Sequence, residues 1–248
     1  MEYKGLKVMT PIIAYGGTVH AHYMMGMINL VSNFSRAGLD VKCPLIYFES
    51  LISRARNAGA AAALADKCDY LLFIDTDVIF DFRDVFKLLD ADKDVCVGMY
   101  PKKYISEQKL AALFKKYSEL PRSWRSLVGD LSSELDASQS GKIIEVNYAA
   151  TGFMLIKTSV FADIATQKPE IKYNNDIDGY MSWGDNFYDF FRCRVNPDTK
   201  KYESEDYGFC KLWQECGGKI HAMPEINLSH RGNIEYEGNY KEQLKCFS

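Results

Sequence analysis

Nowhere does the chain hold an apolar run approaching the roughly 18 to 20 residues that a membrane-spanning helix needs. Its opening, Met1-Glu2-Tyr3-Lys4-Gly5, lacks the basic and then apolar character of a secretory signal. These absences predict a soluble, cytoplasmic protein. An excess of basic charge is missing too: 30 Lys and Arg stand against 33 Asp and Glu, for a formal charge of −3, which leaves no electrostatic footprint for nucleic acid. The seven cysteines, Cys43, Cys68, Cys96, Cys193, Cys210, Cys216 and Cys246, are odd in number and contain no C-x-x-C pair. That pattern argues for free thiols in a reducing compartment and against a disulfide framework or a zinc site. After the first apolar segment comes Gly16-Gly17-Thr18, whose spacing is neither G-x-G-x-x-G nor a P-loop.

What is present is organised around Tyr70-Leu71-Leu72-Phe73-Ile74-Asp75-Thr76-Asp77. Five apolar residues in succession read as a strand covered on both faces, the kind found inside a parallel sheet. The two carboxylates then fall at its carboxyl end, the edge of an open α/β sheet where ligands bind. Alternate residues of an extended strand point the same way, so Asp75 and Asp77 are expected to address one point while Thr76 faces away. Paired hard oxygen ligands suit Mg²⁺ or Mn²⁺, and these ions suit a diphosphate. Asp-x-Asp also occurs by chance, and acids after a strand often cap the next helix.

At 248 residues the chain fits one large domain or two small ones. The spacing predicts a strand over 6–9, a helix over 19–36 stopped by Gly38, a strand over 41–48 and an Ala-rich helix over 51–65. A short helix over 82–89 and a strand over 94–98 complete a β-α-β-α-β-α-β order, which argues for a parallel sheet with right-handed crossovers. On the helix over 51–65, Arg54 and Asn57 share a face from which Arg56 is turned. The lysines of Pro101-Lys102-Lys103-Tyr104 can meet phosphate or acceptor, or simply be solvated. A helix is expected over 109–116 and a loop over 131–141. Strands over 142–148 and after Gly152, then a helix over 159–165, follow. Gly152 between small residues suggests a close approach of backbone to something. Residues 173–196, thick with Asp, Asn and aromatics, read as an acceptor-facing segment. Glu205 and Asp206 open a helix with Ser204 as candidate cap, where the helix dipole alone favours acids by about 0.3 to 1 kcal/mol. Short strands over 219–222 and 226–228 lead to Ser229-His230-Arg231-Gly232.

Taken in order, Arg54-x-x-Asn57, Asp75-x-Asp77, Thr151-Gly152-Phe153-Met154, Glu205-Asp206 and His230-x-Gly232 resemble the GT-A fold of nucleotide-sugar-dependent glycosyltransferases over about residues 6–240. Each motif is short, and their order supplies the specificity. The resemblance implies an α/β, Rossmann-like single domain spanning 1–248, with a mainly parallel central sheet flanked by helices. It implies a nucleotide-sugar half over about 1–105 and a smaller, acceptor-binding and catalytic half over about 142–240. It further implies Asp77 and His230 as metal ligands, and Asp75 at the metal, its water shell or the ribose. Thr10, Pro11, Arg54, Asn57, Thr76 and Gly152 become positions near nucleotide and donor sugar. Asp206, with Glu205 beside it, becomes the general base of an inverting enzyme. The implied cofactors are Mn²⁺ or Mg²⁺ and a nucleotide sugar, with UDP the expected nucleotide, and the implied acceptor is a glycan or glycoconjugate. A phosphohydrolase of the HAD type also places Asp-x-Asp after a strand, but nearer the start and running into Gly-Thr. A pyrophosphorylase wants a basic, Gly-rich loop that Tyr15-Gly16-Gly17-Thr18 does not supply, and a binding protein without turnover is the remaining alternative.

Overall fold

A computed structural model describes residues 2–133 and 141–247. The chain opens with strand Lys7–Met9 (β1), and Thr10-Pro11 separates it from a second short strand, Ile12–Ala14 (β2). Pro11 has no N–H to give a ladder, so β1 stays in the main sheet and β2 leaves it. Helix Ala21–Ala37 (α1) ends on Gly38, whose φ of 80° is the left-handed conformation that closes a helix. The one strand expected over 41–48 is two, Asp40–Lys42 (β3) and Leu45–Tyr47 (β4), divided at Cys43-Pro44. β3 pairs in parallel with β1, and β4 with β2. Helix Ile52–Ala65 (α2) is buried at every position from Ala55 to Ala63, which explains its small residues. At Gly59 a Cβ would lie 2.9 Å from Pro11 and 3.1 Å from the Phe73 ring.

Strand Tyr70–Ile74 (β5) is wholly buried; a short strand, Val78–Ile79 (β6), follows the acids. Asp81 caps helix Phe82–Asp90 (α3) by accepting from the Arg83 amide. Strand Val95–Met99 (β7) leads to helices Glu107–Lys116 (α4) and Trp124–Leu127 (α5). The loop expected over 131–141 lies largely outside the described residues. Strands Ile144–Val146 (β8) and Phe153–Lys157 (β9) and helix Thr158–Gln167 (α6) come next. A hairpin of Arg194–Val195 (β10) and Tyr202–Glu203 (β11) precedes helix Glu205–Glu215 (α7). The two strands expected over 219–228 are one, Ile220–Asn227 (β12), with a register shift between Met223 and Asn227. Strands Ser229–Arg231 (β13) and Glu235–Glu237 (β14) and helix Tyr240–Phe247 (α8) end the chain.

The main sheet has the order β3-β1-β5-β9-β7-β12-β8. β3, β1, β5, β7 and β12 run one way, while β9 is antiparallel to both its neighbours and β8 to β12. This is the mainly parallel, helix-flanked α/β sheet expected of a Rossmann-like GT-A domain. Each strand serves two cores by alternation. Leu71 and Phe73 of β5 face α2, α6 and α7, and Tyr70, Leu72 and Ile74 face α1 and α3. A one-residue slip of β5 would exchange the two sets, so its register is strongly held.

Candidate active site

Three features of the sheet bring distant residues to one edge. β5 delivers Asp75 and Asp77 at its carboxyl end. β9, being reversed, begins at that same edge, so Thr151 and Gly152 stand beside Asp75, whose amide donates to the Gly152 carbonyl at 2.9 Å. β13 pairs with β6, setting His230 opposite Val78, and the Arg231 amide donates to the Asp77 carbonyl at 2.7 Å. Ile13, Tyr15, Glu49, Ser50, Ile52, Arg56, Asp75, Thr76, Asp77, Glu205 and Asp206 line the resulting cleft of about 400 Å³.

β5 stops at Ile74, and Asp75 to Val78 form a turn closed by the Val78 amide on the Asp75 carbonyl at 3.0 Å. The alternation expected of a strand therefore does not carry through the motif. Thr76 lines the cleft instead of facing away, and the two carboxylates are held by different cations. Arg56 Nη2 donates to Asp75 Oδ1 at 3.0 Å. Lys103 Nζ donates to Asp77 Oδ2 at 2.5 Å, and His230 Nε2 lies 3.3 Å from Asp77 Oδ1. Burial works against ionisation of Asp77, but His230 and Lys103 outweigh it and hold the carboxyl well below the usual carboxylate range. His230 Nδ1 is 2.9 Å from the Pro101 carbonyl. A carbonyl only accepts, so Nδ1 carries the proton of that bond.

Arg56 is the hub. Its side chain is 3% exposed, with Nε 3.7 Å from Glu205 and 3.9 Å from Asp206. Its guanidinium carbon lies 5.2 Å from the Phe73 ring centroid. Burial disfavours its charge, but Asp75, Asp206 and Glu205 more than offset this and raise its pKa. Three carboxylates thus surround one guanidinium. Burial and the neighbouring Asp206 raise the Glu205 carboxyl, against the pull of Arg56. Asp206 Oδ1 accepts from the Thr151 hydroxyl, which fixes the carboxylate at the first turn of α7. Ser204 sits at the cap position of that helix without a side-chain cap bond.

The remaining expected positions lie differently. Arg54 forks onto Glu49, Nε to Oε2 at 2.7 Å and Nη2 to Oε1 at 2.9 Å, and so reaches the cleft only through Glu49. Asn57 is buried and turned to the chain itself, donating to Asp189 Oδ1 at 3.0 Å and accepting from the Phe191 amide at 2.9 Å. Thr10 and Pro11 are buried and are not among the lining residues of the cleft. What closely approaches Gly152 is protein: a Cβ there would lie 2.7 Å from Tyr100 Cζ and 2.8 Å from Asp75 Oδ2. Tyr100 itself is buried, and desolvation together with Asp75 and Asp206 pushes its phenol well above the ordinary value, so it stays neutral. Arg56 and Tyr100 were not singled out by sequence reasoning. For Arg56 a signal exists, a charge just before the run Ala58-Gly59-Ala60-Ala61-Ala62-Ala63, whose small residues mark a helix buried on more than one face. Among the described residues, no three or more His, Cys, Asp or Glu side chains gather as a metal-binding group. Nor, among them, is any helix long and apolar enough to cross a membrane.

No family model matches the chain, and no curated protein does. Among solved structures, the crystal structure of A197 from STIV is similar at 15% identity and a TM-score of 0.49, over 94% of this chain and 95% of that one. S. aureus TarS is similar at 13% identity and a TM-score of 0.41, over 96% of this chain and 62% of that one. A 4-diphosphocytidyl-2C-methyl-D-erythritol synthase from Anaerococcus prevotii is similar at 8% identity and a TM-score of 0.35, over 71% of this chain and 80% of that one. At these scores the likenesses carry no functional argument, which rests instead on the geometry of the cleft.

Proposed function

We propose that the chain is a divalent-cation-dependent glycosyltransferase that moves a sugar from a nucleotide sugar, with UDP the expected nucleotide, to a hydroxyl of a glycan or glycoconjugate. The observation that carries this reading is the pair Asp77 and His230. With Nδ1 donating to the Pro101 carbonyl, the ring is turned so that Nε2 faces a carboxylate oxygen 3.3 Å away. A histidine whose far nitrogen is fixed on a carbonyl, with its near nitrogen beside a carboxylate, is the usual arrangement of a metal ligand. Two protein ligands suit Mn²⁺ or Mg²⁺, which fill their other positions with water and substrate phosphate. The Lys103 ammonium on Asp77 Oδ2 marks the place as one where the fold already seats a cation. The three carboxylates about Arg56 leave negative charge uncompensated beside it, which favours Asp75 near the ion. The residues therefore fit a metal held by Asp77 and His230, with Asp75 toward its water shell, where it would neutralise charge on a departing diphosphate.

The chain's own residues account for the rest of the chemistry. Asp206, held by Thr151 and opposite Arg56, is placed to take the proton of the acceptor hydroxyl as its oxygen bonds to the anomeric carbon. The carbon–oxygen bond to the diphosphate breaks on the opposite face, so the configuration inverts. Glu205 stands beside Asp206, its own carboxyl raised by burial and by that neighbour. In this reading residues 1–105 hold the donor, and residues 142–240, with the segment 173–196, face the acceptor.

The test is a screen of nucleotide sugars for Mn²⁺-dependent turnover and thermal stabilisation. With the active donor, Asp77→Asn is expected to abolish both turnover and metal-dependent donor binding. Retention of both overturns the reading, and a burst of covalent aspartyl phosphate from a phosphomonoester would replace it with a phosphohydrolase.

A further inference from the structure

From Val8 to Ser35 the chain has no Asp, Glu, Lys or Arg, although 25% of its residues are charged. Part of this neutral stretch is core, but part of it is surface. The β2–β4 ribbon has two faces by alternation. Ile13 and Ile46, paired across it, turn inward, with Ile46 packing against Ala55, Ala58 and Ala61 of α2. On the other face, Ile12 and Ala14 pair with Leu45 and Tyr47. That outer face and α1 enclose a groove of about 600 Å³ lined by Met24, Met27, Ile28, Val31, Ile12 and Leu45 among others. Its rims stand in solvent: Ile28 and Leu45 are each 54% exposed and Phe48 71%, with Tyr15, Met24 and Tyr47 similarly open.

We infer that this face joins two copies of the chain. Tyr15, Met24, Met25, Ile28, Val31, Leu45, Tyr47 and Phe48 are 36% to 71% exposed, which for large side chains of about 150–250 Å² each is an area on the order of 800 Å². The largest apolar patch of a typical monomer is roughly 300–600 Å², whereas a standard interface takes about 800 Å² from each partner. A two-fold interface sets a surface against itself, so every charge would meet a like charge near the axis. A face free of charge meets that condition, and Met with aromatic residues is the composition of interface centres. A membrane surface is the other apolar partner, but helices that lie on one carry Lys and Arg along the polar side, and α1 has no basic residue before Arg36. The pairing is independent of the chemistry proposed for the cleft.

The experiment is sedimentation velocity of the full chain. A species of twice the 28.3 kDa chain mass is expected. In the double variant Ile28→Glu/Leu45→Glu, and separately in Met24→Lys, dissociation at least about 100-fold easier is expected, since each buries an unpaired charge twice over. All three positions are exposed, and circular dichroism checks that the variants remain folded. A wild-type chain that stays monomeric at about 100 μM overturns the inference. So does a dimer indifferent to both variants, or a monomer that instead co-sediments with phosphatidylcholine vesicles.

Discussion

Replacing Arg56 with Met removes the buried guanidinium of the cleft while keeping much of its apolar volume over Phe73. Asp75, 3.0 Å away, then loses its hydrogen bond, and Glu205 and Asp206 lose the charge that lies 3.7 and 3.9 Å from them. Removing one partner of a buried ion pair costs about 3–5 kcal/mol, because the other charges stay buried without compensation. In a chain of this length each kcal/mol lowers the melting temperature by about 2–4 °C, so a drop of roughly 6–20 °C is expected at pH 8. The deficit is expected to shrink as the pH falls. Without Arg56 the clustered carboxyls bind protons in the folded state at a pH where the unfolded chain has released them, so folding is favoured by acid. Mn²⁺ is expected to raise the variant's melting temperature more than the wild type's, because it supplies the missing charge. The assay is thermal unfolding followed by circular dichroism at pH 8 and pH 5, with Mn²⁺ or with chelator. A variant within about 2 °C of wild type at pH 8 would refute the role of Arg56 as the hub of the cleft.

Asp206→Asn is expected to lower transfer by orders of magnitude with donor affinity kept, and near-normal transfer would remove Asp206 as the base. Asn57→Ala leaves Asp189 and the buried Phe191 amide without their partner, so about 2 kcal/mol of stability is expected to be lost in urea unfolding. Donor KM is expected to stay unchanged there, and a large rise in KM at constant stability would restore Asn57 to the donor site. In chelator, the folded Asp77 carboxyl lies below its unfolded value, so its pairing stabilises fully above about pH 4 and is lost as the pH falls further. Asp77→Asn is therefore expected to flatten the fall in melting temperature between neutral pH and pH 2, and a parallel fall in both proteins would contradict it.

The central strand could be read from the sequence because five successive apolar residues leave no face for water, and Tyr70–Ile74 is buried throughout. The reading stopped being reliable one residue later. Period-two logic holds only while the backbone stays extended, and the turn at Asp75 sends the two carboxylates to different cations. Arg56 escaped for a related reason. Sorting Arg54 and Asn57 onto a working face assumes a helix with one face against solvent, and α2 is buried nearly all round, so the residue turned from Arg54 also meets the site. His230 reaches Asp77 through pairing between β6 and β13, which no local pattern announces. The reversal of β9 is equally silent, since apolar strands read alike in either direction and the segment before them is polar.

That reversed strand has a kinetic consequence. β9 lies between β5 and β7, which precede it in the chain, and its side chains complete both cores. Until residue 157 has been synthesised, β5 and β7 each present an unpaired, wholly apolar edge, and neither can close on the other without shutting out the strand that belongs between them. Non-local insertion of this kind slows folding and prolongs exposure to aggregation. The first hundred residues are therefore expected to need holding open on the ribosome, and to precipitate when made alone.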